Sequence, residues 1–262
     1  MAGARRISHD DQLSVVEHLD ELRTRLIRAL IALTAAFTLT FWQNHLVLQV
    51  FNRPLRTVDE DLLGSNGGEP ISLGVTEQFT TTITLAGYAA ILIALPVILY
   101  QLYAFVLPAF SPKERRVAAP LLALIPVMFI AGVAFGYFVV IEPATNFLLS
   151  FNADEFTTAV RARDYYSFVA LTLVSLGLLY QMPIGILALT RLGITSPAGL
   201  RRNRRYAILG CAVLAALLPT IDPVTMVLEM VPLLVLYELS ILLAQAFGTP
   251  RAPAPAAAPD PA

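Results

Sequence analysis

The chain has 262 residues, 56% of them apolar and 14% charged, and a formal net charge of −1. Soluble domains carry about 25% charged residues, so a soluble globular protein is excluded and a polytopic membrane protein is indicated, in line with a mean hydropathy of +0.68. The near-neutral balance gives no reason to expect nucleic acid as a partner. The single Cys211 and the scattered His9, His18 and His45 form neither a disulfide framework nor a metal spacing, so no cofactor and no metal are expected.

The N-terminal segment, residues 1–25, reads as an amphipathic cytoplasmic helix. Leu19, Leu22 and Leu26 share one face. Glu17 and Glu21 lie one turn apart on another, and Arg25 extends that row. Charge continues to Arg28 with no small-residue cleavage site, so a cleavable signal is not expected. Arg5-Arg6 lies too far from the apolar run to act as a twin-arginine signal itself.

Residues 26–247 read as a membrane domain of six spans, each needing about 20 apolar residues. The first is placed at about 26–48. A polar stretch follows, with Asn52, Pro54 and a turn-rich run from Gly64 to Gly68. The second span, about 79–107, is longer than a bilayer requires, and Pro96 is positioned to kink it. A short basic loop leads to the third span, about 117–141, and a polar loop from Glu142 to Tyr165 leads to the fourth, about 166–190. The basic loop Arg191 to Arg205 precedes a fifth span, 206–220, of only about 22 Å. The sixth, about 224–247, follows the Asp222-Pro223 turn. Residues 248–262 are rich in Pro and Ala and read as a disordered cytoplasmic tail. Of the 18 Lys and Arg residues, fourteen fall on the side of the termini and four on the other. The positive-inside rule therefore puts both termini in the cytoplasm.

No nucleophile-and-base set or phosphate loop is visible, and an enzyme is not expected. The informative residues are polar groups at membrane depth, where charge is costly. Gln181 lies in the fourth span on the same face as Gly177, and Glu238 is placed deep in the sixth span. Glu229 is placed nearer the outer end and reads as solvated. Each is open to a plainer reading, an interhelical hydrogen bond or a packed carboxyl. On the cytoplasmic side, Glu21 and Glu114 sit in basic segments. A carboxylate pair suits a guanidinium through charge-assisted, often bidentate bonds; the alternative is internal pairing with Arg25 or Arg115, worth little on a wet surface.

Several stretches, in order, carry a resemblance. They are His18-Leu19-Asp20-Glu21-Leu22-Arg23-Thr24-Arg25-Leu26, Asn52-Arg53-Pro54-Leu55, Pro96-Val97-Ile98-Leu99-Tyr100-Gln101 followed by Phe105 to Phe110, Lys113-Glu114-Arg115-Arg116, Gly193-Ile194-Thr195-Ser196-Pro197, Asp222, and Pro232 with Tyr237-Glu238. Over roughly residues 15–247 the chain resembles the TatC family, the multispanning subunit of the twin-arginine protein translocase. The resemblance implies an all-α, glove-like six-helix bundle in the cell membrane, open to the bilayer. It implies that Glu21 and Glu114 help bind the paired arginines of a signal peptide, with Leu22, Arg23, Phe105, Phe110 and Arg116 shaping the patch. Gln181 and Glu238 would be intramembrane polar contacts for partners, and Pro54 and Asp222 outer-side structural residues. Implied partners are twin-arginine precursor proteins, single-span TatA/TatB-type subunits, membrane lipid and further copies of the chain within a larger complex powered by the proton motive force. Two departures stand out: Gln181 where the family usually has Glu, and Met226 where it often has Gln. The rival reading is a small-solute or ion secondary transporter using Gln181, Glu229 and Glu238. Missing internal repeats count against it.

Overall fold

The computed structural model describes residues 9–58, 69–106, 123–155, 158–191, 193–219 and 222–247, with side chains from His18 onward. Helix α1 runs unbroken from His9 to Trp42, so the N-terminal amphipathic turns and the first span are one rod. It turns at Gln43 into a short helix α2, Asn44–Asn52, and then a 3-10 turn, Leu55–Thr57. Helix α3, Glu77–Val106, has 30 residues, about 45 Å of rise, well beyond an apolar slab of about 30 Å. It passes through Pro96 without ending.

The third span is a composite. Helix α4, Leu124–Phe135, passes through a five-residue π turn, Gly136–Val140, into helix α5, Ile141–Ser150. The stretch from Glu142 that reads as a polar loop is therefore helical for most of its first ten residues. Its buried face, Ile141, Ala144, Thr145 and Leu149, recurs at three- and four-residue steps. The fourth span also has two pieces, α6, Ala162–Leu179, and α7, Met182–Arg191. The break has a covalent cause: Pro183 has no N–H to give the Leu179 carbonyl, four residues back. The Gln181 carbonyl instead accepts the amides of Ile184 and Gly185 at 3.1 and 3.0 Å.

The six-residue α8, Pro197–Arg202, is capped by Ser196, whose Oγ accepts the Gly199 amide. A hairpin of α9, Arg204–Ala216, and α10, Pro223–Phe247, ends the described chain. By length and composition, five helices can cross a membrane, covering 18–42, 77–106, 124–150, 162–191 and 223–247. The sixth, α9, has 13 residues, about 20 Å, so it matches a full bilayer only where that bilayer is thinned.

Small residues set the helix contacts, as expected where lipid removes the hydrophobic drive for helix association. Ala36 on α1 meets Ala90 and Ala94 on α3, and the Thr40 hydroxyl donates across that seam to the Ala86 carbonyl at 2.8 Å. The third span meets α6 at Gly132 on α4, at Gly136 in the π turn and at Gly177 on α6. A Cβ on Gly132 would lie 2.7 Å from the Leu176 carbonyl oxygen and 2.9 Å from the Gly177 Cα. Both are backbone atoms and cannot step aside. We predict that Gly132→Leu lowers the unfolding midpoint in detergent, overpacking costing about 1–3 kcal/mol. Gly87→Ala in α3, with nothing within 4 Å of the new methyl, should melt at or above the parent; equal midpoints for the two variants would refute this account of the seam.

Candidate functional site

The helical periodicity of α1 puts Glu21 and Arg25 one turn apart, with Arg25 reaching α3. The Arg25 guanidinium donates from Nε and Nη2 to Glu21 Oε1 at 2.9 and 2.5 Å. Its Nη1 reaches across to Gln101 Oε1 on α3 at 3.3 Å. Both partners are partly screened, the Arg25 side chain being 20% and the Glu21 side chain 32% exposed. One turn further out, the His18 ring stacks on Phe105, with centroids 4.4 Å apart. A cleft of about 130 Å³ opens beneath them, walled by Leu22, Leu26, Ala29, Ile98 and Leu102. Of the residues expected to form a recognition patch, Glu21, Leu22 and Phe105 are thus brought to one mouth, and Arg23 lies exposed on the same helical turn. Glu114, Phe110 and Arg116 lie outside the described residues.

Within the membrane domain, Gln181 is buried at the α6–α7 break. Its Nε2 donates to the Ile125 carbonyl on α4 at 2.9 Å, while its Oε1 is buried and lacks a hydrogen-bond partner among the described residues. The two carboxylates of α10 exchange the surroundings that the sequence suggests. Glu229, read as solvated, is fully buried. Glu238, read as deep, has a half-exposed side chain and pairs with Arg204 of α9 at 2.7 Å. Helical register explains both: Thr225, Glu229, Leu233, Leu236 and Ser240 form one inward stripe, and Glu238 falls off it. Asp222 is the N-cap of α10, its Oδ1 accepting the Thr225 amide at 2.7 Å.

At the opposite end from Glu21, α2 and its 3-10 turn are held by three tyrosines. Tyr137 donates to the Val50 carbonyl at 2.7 Å, Tyr165 to the Phe51 carbonyl at 2.9 Å and Tyr166 to Asn52 Oδ1 at 2.9 Å. The first two satisfy carbonyls that a helix end leaves over. Buried Pro54 opens the 3-10 turn, and its carbonyl accepts the Thr57 hydroxyl at 2.7 Å. Nearby, buried Glu77 accepts the Leu73 and Gly74 amides at 2.7 and 3.1 Å and the Arg161 Nε at 2.7 Å. Ile71 and Arg161 form a parallel bridge beside that pair. Sequence reading places Glu77 and Arg161 in two separate polar loops and gives no sign that they meet.

These elements define an all-α integral membrane protein with six transmembrane helices. The family model for the Sec-independent protein translocase protein TatC matches residues 17–232. The chain is 31% identical to the Sec-independent protein translocase protein TatC of Escherichia coli K12, covering 91% of each chain. It is 31% identical to that of Desulforapulum autotrophicum, covering 91% of this chain and 87% of the relative. A solved structure, described as the crystal structure of the twin-arginine translocase receptor TatC, superimposes with a TM-score of 0.72 at 34% identity, covering 88% of this chain and 99% of that one. The chain belongs to the TatC family.

The two buried polar groups predict different stability costs. Asp222→Ala removes an N-cap and should cost about 0.5–2 kcal/mol, with Asp222→Asn retaining most of it. Gln181→Leu gives up one interhelical bond, worth about 0.6 kcal/mol on average, but also removes a buried acceptor with no partner, so it should melt within a few degrees of the parent. Thermal unfolding in detergent checks the order; a Gln181→Leu variant less stable than Asp222→Ala would overturn it.

Proposed function

We propose that this chain is the twin-arginine signal-peptide receptor and core multispanning subunit of a translocase that moves folded proteins across the cell membrane, driven by the proton motive force. The carrying observation, beside family membership, is the mouth between α1 and α3. There a carboxylate, Glu21, already holds a guanidinium by two hydrogen bonds. Charge-assisted contacts of this kind discriminate arginine from lysine by shape. Glu114, with Phe110 and Arg116, completes the patch in this reading. The chain acts as a receptor and not as an enzyme. Its partners are the precursors, lipid, single-span TatA/TatB-type subunits and further copies of itself. Gln181 is a contact for a single-span partner in this reading, which its place at the break of the fourth span supports. Glu238, paired with Arg204 at the bundle surface, offers a second polar contact. Pro54 and Asp222 serve as structural residues of the outer side, supported by the turn and the helix that they start. The surface position of Glu238 removes one of the three groups on which a solute-transport pathway would draw.

Glu21→Ala and Glu114→Ala should each weaken binding of a twin-arginine precursor while the protein still inserts, and a Lys-Lys signal should bind the parent worse than Arg-Arg. Co-purification of the precursor with each variant measures this, and parental binding by both variants would sink the receptor roles.

Membrane orientation is proposed from basic-residue asymmetry, with both termini cytoplasmic. Cysteines introduced near residues 62 and 155 should react with an impermeant thiol reagent added outside, and those near 113 and 200 should not. Outside labelling of position 200 would contradict the six-span topology.

A further inference from the structure

Arg25 does more than extend a charged face. Three of its nitrogens are engaged, two by Glu21 Oε1 and one by Gln101 Oε1, so its guanidinium bridges α1 and α3. Those two acceptors, a carboxylate and a neutral amide oxygen, sit on different helices, and one guanidinium reaches both. An ammonium is a point donor and meets one such acceptor well but does not span both. Arg25 and Gln101 also line the cleft of about 130 Å³, whose other walls are mostly apolar and suited to the alkyl stem of an arginine.

We propose that the α1–α3 mouth is a guanidinium-selective subsite, with Glu21 and Gln101 as its acceptors, and that Arg25 fills it as a tethered substitute until an arginine of the signal peptide displaces it. The proposal rests on the receptor reading above and adds to it a neutral second acceptor and an internal competitor. The competitor has a function in this scheme. It keeps a partly buried carboxylate paired while no substrate is bound, since an uncompensated charge there would be costly. It also sets a threshold: the observed affinity is the intrinsic one reduced by the fraction of time that the site stands free. Weak single-arginine or lysine ligands then fail to displace it. Arg25 and Gln101 are positioning and specificity residues in this account, neither having a chemical step to perform.

The test uses the full chain in lipid nanodiscs and two synthetic signal peptides that differ only in Arg-Arg against Lys-Lys. Arg25→Gln should bind the Arg-Arg peptide about three- to tenfold more tightly, a subsite occupied by its own side chain for roughly 70–90% of the time being then released. The preference for Arg-Arg over Lys-Lys should persist. Gln101→Leu should lower that preference several-fold, because this subsite then keeps Glu21 alone and a point donor meets a single acceptor well, while Glu114 retains its own share of the discrimination. A general loss of structure would weaken both peptides alike and leave their ratio in place, so the ratio isolates the subsite. If Arg25→Gln fails to fold, Arg25→Lys serves: it keeps the charge, cannot span both acceptors and should also bind the Arg-Arg peptide more tightly. Unchanged or weaker Arg-Arg binding by a folded Arg25 variant, or a parental ratio in Gln101→Leu, overturns the proposal while leaving the receptor role intact. If instead the parent shows no preference and Glu21→Ala binds like the parent, the receptor reading itself has failed.

Discussion

In a hydrocarbon slab a backbone or side-chain polar group has no water to bond, so it must find its partner inside the protein. Much of the irregular structure of this chain follows from that constraint. The fourth span breaks at Tyr180-Gln181 because Pro183 withholds an amide. The break is tolerated because the Gln181 carbonyl takes two amides further on and its side chain reaches the α4 backbone. The α2 turn projects helix-end carbonyls toward the third and fourth spans, and tyrosine hydroxyls meet them. The single Thr40 O–H lies between two carbonyl acceptors, Ala36 on its own helix and Ala86 on the neighbouring one, and the shorter contact is to Ala86. The Gln181 side chain and the tyrosine hydroxyls bond backbone of a different segment, so these compensations double as tertiary contacts.

The same constraint explains which surfaces are built from small side chains. Between helices in lipid, close backbone approach and interhelical bonds replace the hydrophobic effect. Alanines at the α1–α3 seam and glycines at the α4–α6 seam allow that approach. The α1–α3 seam also leads to the charged mouth. Ala36, Ala90 and Ala94 hold the two helices against each other, and about three turns further toward the N-terminus of α1 the spacing is filled by Arg25 and Gln101. A rigid seam below and two acceptors above make the mouth a measured gap between helices, which a loop-borne site would not provide.

What the sequence discloses depends on the range of the interaction. Hydropathy, Pro and Gly placement and arginine asymmetry are local and placed most of the helical segments. They do not report the π turn that carries the third span on through Glu142 to Ser150, because an apolar run reads alike through α and π geometry. Glu229 and Glu238 were exchanged for a different reason. Depth along α10 can be counted from sequence, but which side of α10 faces inward is decided by α7 and α9, so burial follows the stripe through Leu233 and Ser240. Glu21 and Arg25 are legible together as an i, i+4 pair. Gln101, 76 residues away from Arg25, is one amide in an apolar span and carries no local signal. Glu77 and Arg161 likewise meet only through the fold.

Gln181 brings these strands together. Its amide donates to the Ile125 carbonyl, deep in the bundle, and an amide can do so at every pH. An ionised carboxyl at the same place would set a negative charge against a carbonyl oxygen, and only its protonated form could donate. The family resemblance makes this position usually a glutamate, so this chain keeps the hydrogen-bonding capacity of the protonated acid and gives up the proton. Among the described residues, Glu229 is the fully buried carboxylate that the fold places within the bundle. It lies on the stripe of α10 that packs inward, and this arrangement links a polar face of the sixth span to the interior instead of to lipid.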